Sequence, residues 1–296
     1  MSTERPRGTP SIRPRQSIPV AVATGRKPDT GFGILDKDRF FLVNFRADGK
    51  GKDARRALHP AYAKFNALPE SGDKAVVEKH NAARRILRGY IVHADEASAY
   101  WSNYRAQVLQ GHQCPSGAPS CEGNGKTARR WMRDAGDYAT IPCPGDKCEH
   151  QRPTVGNNGR PQRAACTPYG CIVFQLRFDN APCLLAKYES RGFESVGALE
   201  GFFQSVRDQA ATLGVENPNL YGLPFVMDWS PRSNAQAQTK WYALSISPDL
   251  PPGMTLADFL LASASQRREL AKDRLESVGV PTVVDAMDDT EAGNLP

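Results

Sequence analysis

Cys171-Ile-Val-Phe-Gln-Leu-Arg-Phe-Asp-Asn-Ala-Pro-Cys-Leu-Leu-Ala-Lys-Tyr188 holds two runs rich in β-branched and aromatic residues, separated by the turn-forming Asp179-Asn180-Ala181-Pro182. Runs of that length and composition around such a turn predict a β-hairpin. Downstream, Val196, Leu199, Phe202, Phe203, Val206 and Leu213 recur at helical spacing between Ser195, a natural N-cap, and Gly214, which predicts a helix laid on one face of the hairpin. Tyr221–Trp229 and Lys240–Ser247 read as two more strands joined by a polar loop at 230–238. The order strand, strand, helix, strand, strand predicts an α+β fold with an antiparallel sheet and a ββαββ core.

Upstream, the dense run Phe40, Phe41, Leu42, Val43 and Phe45 before Asp48-Gly49 reads as a strand. Between Asp73 and Tyr90, the residues Val76, Val77, Ala83, Ile86, Leu87 and Tyr90 fall near one helical face with Lys and Arg opposite, predicting an amphipathic helix. Thr255 caps a last helix expected to run to about Glu276, with Gly279 and Pro281 marking its end. These flanking helices complete the body.

Of the 296 residues, 40% are hydrophobic, and Pro 23 with Gly 25 implies many turns, so part of the length lies outside a core. Five segments follow. Residues 1–30, rich in Pro, Arg, Ser and Thr, read as a disordered basic tail, and 31–110 as the N-terminal part of the body. Residues 111–171 form a cysteine-rich insert, and 172–278 the remainder of the body. Residues 279–296, with Asp285, Asp288, Asp289 and Glu291, read as a disordered acidic tail. Met1–Arg15 carries Arg5, Arg7, Arg13 and Arg15 without a following apolar segment, and no run of about 18 uncharged apolar residues occurs. The expectation is a cytoplasmic protein with no membrane contact.

Seven cysteines in such a chain point to metal ligation rather than to a disulfide framework. Cys143-Pro-Gly-Asp-Lys-Cys148 and Cys166-Thr-Pro-Tyr-Gly-Cys171 share a spacing of four intervening residues, each containing Pro and Gly. Two turns of that kind aim thiolates at one point, and a tetrahedral zinc ion held by four of them folds a segment that has no core of its own. Cys114 and Cys121 add two further sulfurs, and His112 and His150 flank the group, so six cysteines compete for four places. A catalytic zinc would need a carboxylate base, for which Glu122 and Glu149 are the adjacent candidates. Neither stands in a zinc-hydrolase motif, and thiolate-rich coordination is typical of structural sites. Ser230 and Ser233 lack a nucleophile-elbow context, and no catalytic residue and no small-molecule substrate are expected.

The formal net charge is +6, a mild attraction to acidic partners. Lys79, Arg84, Arg85 and Arg88 form one basic patch, and Arg129, Arg130 and Arg133 with Trp131 form another. Either offers contact with DNA or RNA, although acidic residues nearby also fit ordinary solvated faces. Gly123-Asn-Gly125 reads as a tight turn, and His59, His80 and His93 as surface or core histidines. Phe202, Phe203, Trp229 and Trp241 read as core residues under the sheet.

Gly31-Phe-Gly-Ile34, Cys121-Glu-Gly123, Cys166-Thr-Pro-Tyr-Gly-Cys171-Ile-Val-Phe-Gln-Leu176, Leu184–Tyr188, the helix begun by Ser195-Val196, and Leu220-Tyr-Gly-Leu-Pro-Phe225 together resemble the recombination directionality factor-like proteins of phages. Some of those proteins carry only the description hydrolase or metal-binding protein. The resemblance covers roughly two thirds of the chain in the same order. It implies a zinc-bearing accessory protein that docks on a large serine integrase and turns recombination from integration toward excision without cutting DNA itself. Carried over, it implies Cys121, Cys143, Cys148 and Cys166 as the Zn2+ ligands; the residues of this chain leave Cys114, Cys171 and His150 as alternates. The chain departs from the pattern in having Cys114 and Cys171 and in its long basic N-terminal tail.

Overall fold

A computed structural model describes residues 18–26, 35–45, 56–70, 72–109, 112–116, 118–152, 154–155, 161–162, 164–178, 181–234, 239–262 and 266. In chain order the elements are β1 (Val20–Arg26), β2 (Leu35–Asn44), α1 (Ala63–Asn66), α2 (Lys74–Ala82), β3 (Ile86–Ile91), α3 (Glu96–Ala99), β4 (Tyr100–Ala106), β5 (Val108–Leu109) and β6 (His112–Gln113). They continue with β7 (Cys121–Gly123), β8 (Thr127–Met132), β9 (Asp137–Pro142), β10 (Thr154–Val155), β11 (Pro161–Gln162), β12 (Cys166–Arg177), β13 (Leu185–Ser190), α4 (Phe193–Thr212), β14 (Pro224–Asn234), β15 (Thr239–Pro248) and α5 (Leu256–Leu261). Eleven strands make one sheet, with β5-β6 and β10-β11 as separate two-stranded pieces. The fold is α+β with a large, mostly antiparallel sheet. The pairing of β1 with β13 is parallel, and the other pairings of this sheet are antiparallel.

The twelve-residue strand β12 is the spine. One of its edges pairs with β13 over Gly170–Gln175. Along the other edge, Ile91 stands opposite Phe174 and Tyr100 opposite Ile172, so β3 and β4 follow each other end to end and 92–99 loops out between them. The C-terminal half of β12 leads through β3 to β14 and β15, and the N-terminal half through β4 to β7, β8 and β9. Within 111–171, β7, β8 and β9 therefore continue the main sheet.

The sheet curls. β2, reached through β13 and β1, comes back against β14, where Trp229 Nε1 donates to the Lys37 carbonyl at 2.8 Å and the Phe40 and Trp229 rings lie 6.0 Å apart. Inside the curl, Ile172, Phe174 and Leu176 of β12 pack with Val20, Val22, Phe40, Leu42, Phe225 and Met227 against Leu199, Phe202, Phe203 and Val206 of α4. The Phe203 and Tyr100 rings stack at 4.6 Å. α4 sits close on β12 because Gly170 has no side chain: a Cβ there would lie 3.3 Å from Val196 and Leu199. Among the described residues no helix is long and apolar enough to cross a membrane.

The hairpin β12-β13, α4, and the strands β14 and β15 occur in the order the sequence predicts, but β3 stands between β12 and β14, so they do not form a self-contained ββαββ core. The expected helix over 73–90 is half helix and half strand. Asp73 caps α2 through the Ala75 N–H at 2.8 Å, and α2 stops at Ala82. Beyond it, Leu87, Tyr90 and Ile91 are buried in a strand paired on both edges, where the ladder outweighs the helical spacing of these residues. The expected disordered tail is overturned at Val20–Arg26, whose buried Val20 and Val22 alternate in period two between β13 and β2; residues 1–17 lie outside the described residues. α4 begins after Gly192 rather than Ser195, which is buried within the helix. Thr255 does cap α5 in a capping box, but this helix ends at Leu261 with Ala262 as its C-cap; beyond Ala262 the remainder of the expected helix, apart from Gln266, and the acidic tail lie outside the described residues.

Candidate metal centre

Strand alternation sorts the side chains of β7. Cys121 pairs with Ala106 on one side and Arg130 on the other, while Glu122 pairs with Arg105 and Arg129, so the thiol and the carboxylate point to opposite faces. Cys166, the first residue of β12, also stands opposite Ala106. Cys121 and Cys166 thus flank one fully buried alanine on the same face, separated by two strand spacings, or roughly 10 Å between their Cα atoms.

The segment 143–148 drops over this gap. β7 and β8 are joined by a tight turn in which Asn124 Oδ1 accepts from the N–H groups of Lys126 at 3.0 Å and Thr127 at 2.8 Å, with Gly125 at φ 88°. Cys143 N–H donates to the Lys126 carbonyl at 2.8 Å. Gly145, at φ 57°, packs against Gly125, where a Cβ would meet the Gly125 Cα at 3.3 Å. Its carbonyl accepts from Cys148 N–H at 3.0 Å and from Gln151 Nε2 at 2.7 Å. Gly123 makes the approach of Cys143 feasible, since a Cβ on residue 123 would stand 2.6 Å from the Cys143 sulfur.

The result is that Cys121, Cys143, Cys148 and Cys166 lie near enough to feel one another's charge. The Cys166 thiol is pushed up to about 12, first by burial and then by the charges of Cys148, Cys121 and Cys143, with a hydrogen bond to Cys148. Burial also raises Cys121, whose hydrogen bond and attraction to Arg130 work the other way. Protonated thiols repay burial, whereas four thiolates in this space require a cation. Among the described residues no group of three or more His, Cys, Asp or Glu side chains is placed so that it could hold a metal ion as the chain stands.

The other candidates stand apart. Cys171 is five positions from Cys166 along a continuous strand, so its sulfur emerges on the opposite face, where burial raises it among Lys187, Glu189 and Arg105. The turn expected at 166–171 does not form, because pairing with β4 and β13 extends the backbone through Pro168 and Gly170. Cys114 lies 3.1 Å from Ser116 Oγ; hydrogen bonds from Ser116 and Tyr138 lower it. His150 Nε2 faces Glu149 at 3.4 Å.

Glu122 is held by Asn103 Nδ2 at 2.5 Å and Arg105 Nη2 at 2.7 Å on the face away from the Cys121 sulfur, which is the wrong side for a base at these cysteines. Of the basic patch near α2, Arg84, Arg85 and Arg88 are spent internally, while Lys79 is exposed. Arg84 donates to the carbonyls of Phe65, His80 and Lys64, Arg85 grips Glu78 at 2.7 Å, and Arg88 meets Asp249 at 3.2 Å. Arg129 instead lies exposed over the Tyr138 ring at 4.1 Å, and Arg133 is exposed at the hairpin tip. Phe202 and Phe203 are buried as expected, whereas Trp241 is 36% exposed and bonds Glu194 through Nε1. Residue-by-residue reading of the sequence missed Gly123 and Arg130 as parts of this site. No family model, curated protein or solved structure matches the chain.

Proposed function

We propose that this chain is a non-enzymatic docking protein whose sheet extension β7-β8-β9 is fastened to β12 by a structural zinc ion held by Cys121, Cys143, Cys148 and Cys166. The observation that carries the reading is the nearness of four thiols from β7, from both ends of the 143–148 segment and from the start of β12. A complete set of four thiolates leaves zinc no open position for water, which is the pattern of a structural rather than a catalytic ion. Binding would deprotonate the thiols, which ties zinc affinity to pH.

The partner we propose is a large serine integrase, on the strength of the motif order from Gly31 to Phe225 that resembles recombination directionality factors. Biasing a recombinase requires only that the protein bind one of its conformations more tightly than the other. Mixing the protein with its cognate integrase and paired attachment sites should turn product formation toward excision. Unchanged product direction at saturating protein removes this function.

A second reading, contact with nucleic acid, is favoured by the exposed Lys126, Arg129 and Arg133 on and beside β8. It predicts a low-salt complex with DNA or RNA that weakens steeply as salt rises. Absence of any gel shift at low salt eliminates it.

A further inference from the structure

Arg130 stands half-buried on β8. It is the register partner of Cys121 across β7 and β8, and directly opposed residues on neighbouring strands bring their side chains within roughly 5 Å. The Arg130 Nε is shut away from solvent with no hydrogen-bond acceptor. Drawing a cation out of water beside neutral thiols is unfavourable, because a thiol is a weak acceptor and offers no countercharge.

A zinc ion with four thiolates carries a net charge of −2, and beside such a centre the same guanidinium is a charge-assisted donor to sulfur. Resting on the zinc reading above, we infer that Arg130 is the outer-sphere partner of the centre, donating to the Cys121 sulfur and holding that ligand on the metal. Cys121 is the ligand that most needs it. Cys143, Cys148 and Cys166 are buried, whereas Cys121 is only partly so. Drawing electron density from this sulfur slows its protonation and its departure from the ion. Arg129 is a built-in control: one position away on the same strand, it points to the other face, over Tyr138.

The test compares zinc transfer to a chromogenic chelator from wild type, Arg130→Ala, Arg130→Lys and Arg129→Ala, after native mass spectrometry has established the metal content of each. The expected result is one zinc per wild-type chain, transfer about 10- to 100-fold faster from Arg130→Ala, an intermediate rate for Arg130→Lys and a wild-type rate for Arg129→Ala. Cobalt-loaded Arg130→Ala should also show a shifted thiolate-to-cobalt absorption band. If Arg130→Ala does not fold, Arg130→Lys carries the comparison, since it keeps a charge but loses the fork that reaches sulfur. Equal transfer rates with one zinc bound overturn the role of Arg130 and leave the centre standing; a metal-free, folded wild-type chain overturns both.

Discussion

At Gly123 a single methyl group is the difference between a knuckle that closes and one that does not. A Cβ there would stand 2.6 Å from the Cys143 sulfur and 2.9 Å from the Ala128 Cβ, and neither backbone can retreat without breaking the β7-β8 ladder or the Cys143–Lys126 hydrogen bond. Gly123→Ala is expected to cost about 1–3 kcal/mol, as overpacking generally does, and to lower the zinc content at a fixed zinc concentration; thermal unfolding and metal analysis check the two together, and a wild-type melting curve contradicts the reading. Gly201 is the opposite case. It is exposed within α4 with nothing within 4 Å of an added Cβ, so Gly201→Ala should raise stability by about 0.5–1 kcal/mol in urea titration. At this scale the chemistry of the site was half legible. Cysteine spacing pointed to a metal, but which sulfurs meet depends on strand register, and the spacing Cys166–Cys171 imitates a turn while lying in a strand. Arg130 was legible only as one arginine among neighbours, because nothing in the sequence says that it stands across from Cys121.

Among the elements, β12 and β13 carry a cluster on the face away from α4. Glu189 accepts from Tyr169 at 2.5 Å and pairs with Lys187 at 2.6 Å. Burial works to raise the Glu189 carboxyl, but Lys187 and Tyr169, with the charge of Arg56, hold it below the ordinary carboxylate value. A carboxyl depressed in the folded state contributes stability that is present above its unfolded value, 4.5, and is lost as pH falls through the folded value. Glu189→Gln should therefore be less stable than wild type at neutral pH and lose less of its stability on acidification below about pH 5; parallel pH profiles from denaturant titration contradict this. The hairpin β12-β13 was readable because Asp179–Pro182 punctuates two apolar runs, and α4 because its stripe is long. β1 and β3 were not. The Val20-Ala-Val22 alternation is too brief to stand out in a Pro- and Arg-rich segment, and β3 follows α2 after three residues, so its apolar residues extend the helical spacing by coincidence. In both places sheet pairing on two edges overrides local preference.

For the molecule as a whole, β12 joins two sheet halves of different character. From Gly170 onward it faces α4 and a large core, whereas its N-terminal end begins at Cys166 beside a cluster that, among the described residues, holds Ala106, Leu109 and Cys166, with Tyr104 and Cys121 against it. So little apolar surface does not hold three strands and the 143–148 segment in place, and the proposed zinc ion supplies what the core does not. That division explains why the α+β class could be read from apolar patterning while the outer half could be read only from its cysteines. The most direct measurement is metal content by native mass spectrometry with thiol counting, on wild type and on Cys148→Ser, Cys114→Ser and Cys171→Ser. One zinc per chain in wild type, kept by Cys114→Ser and Cys171→Ser and lost or weakened by Cys148→Ser, is the predicted result. A folded, metal-free chain with its thiols reduced, or zinc lost equally from Cys171→Ser, contradicts it.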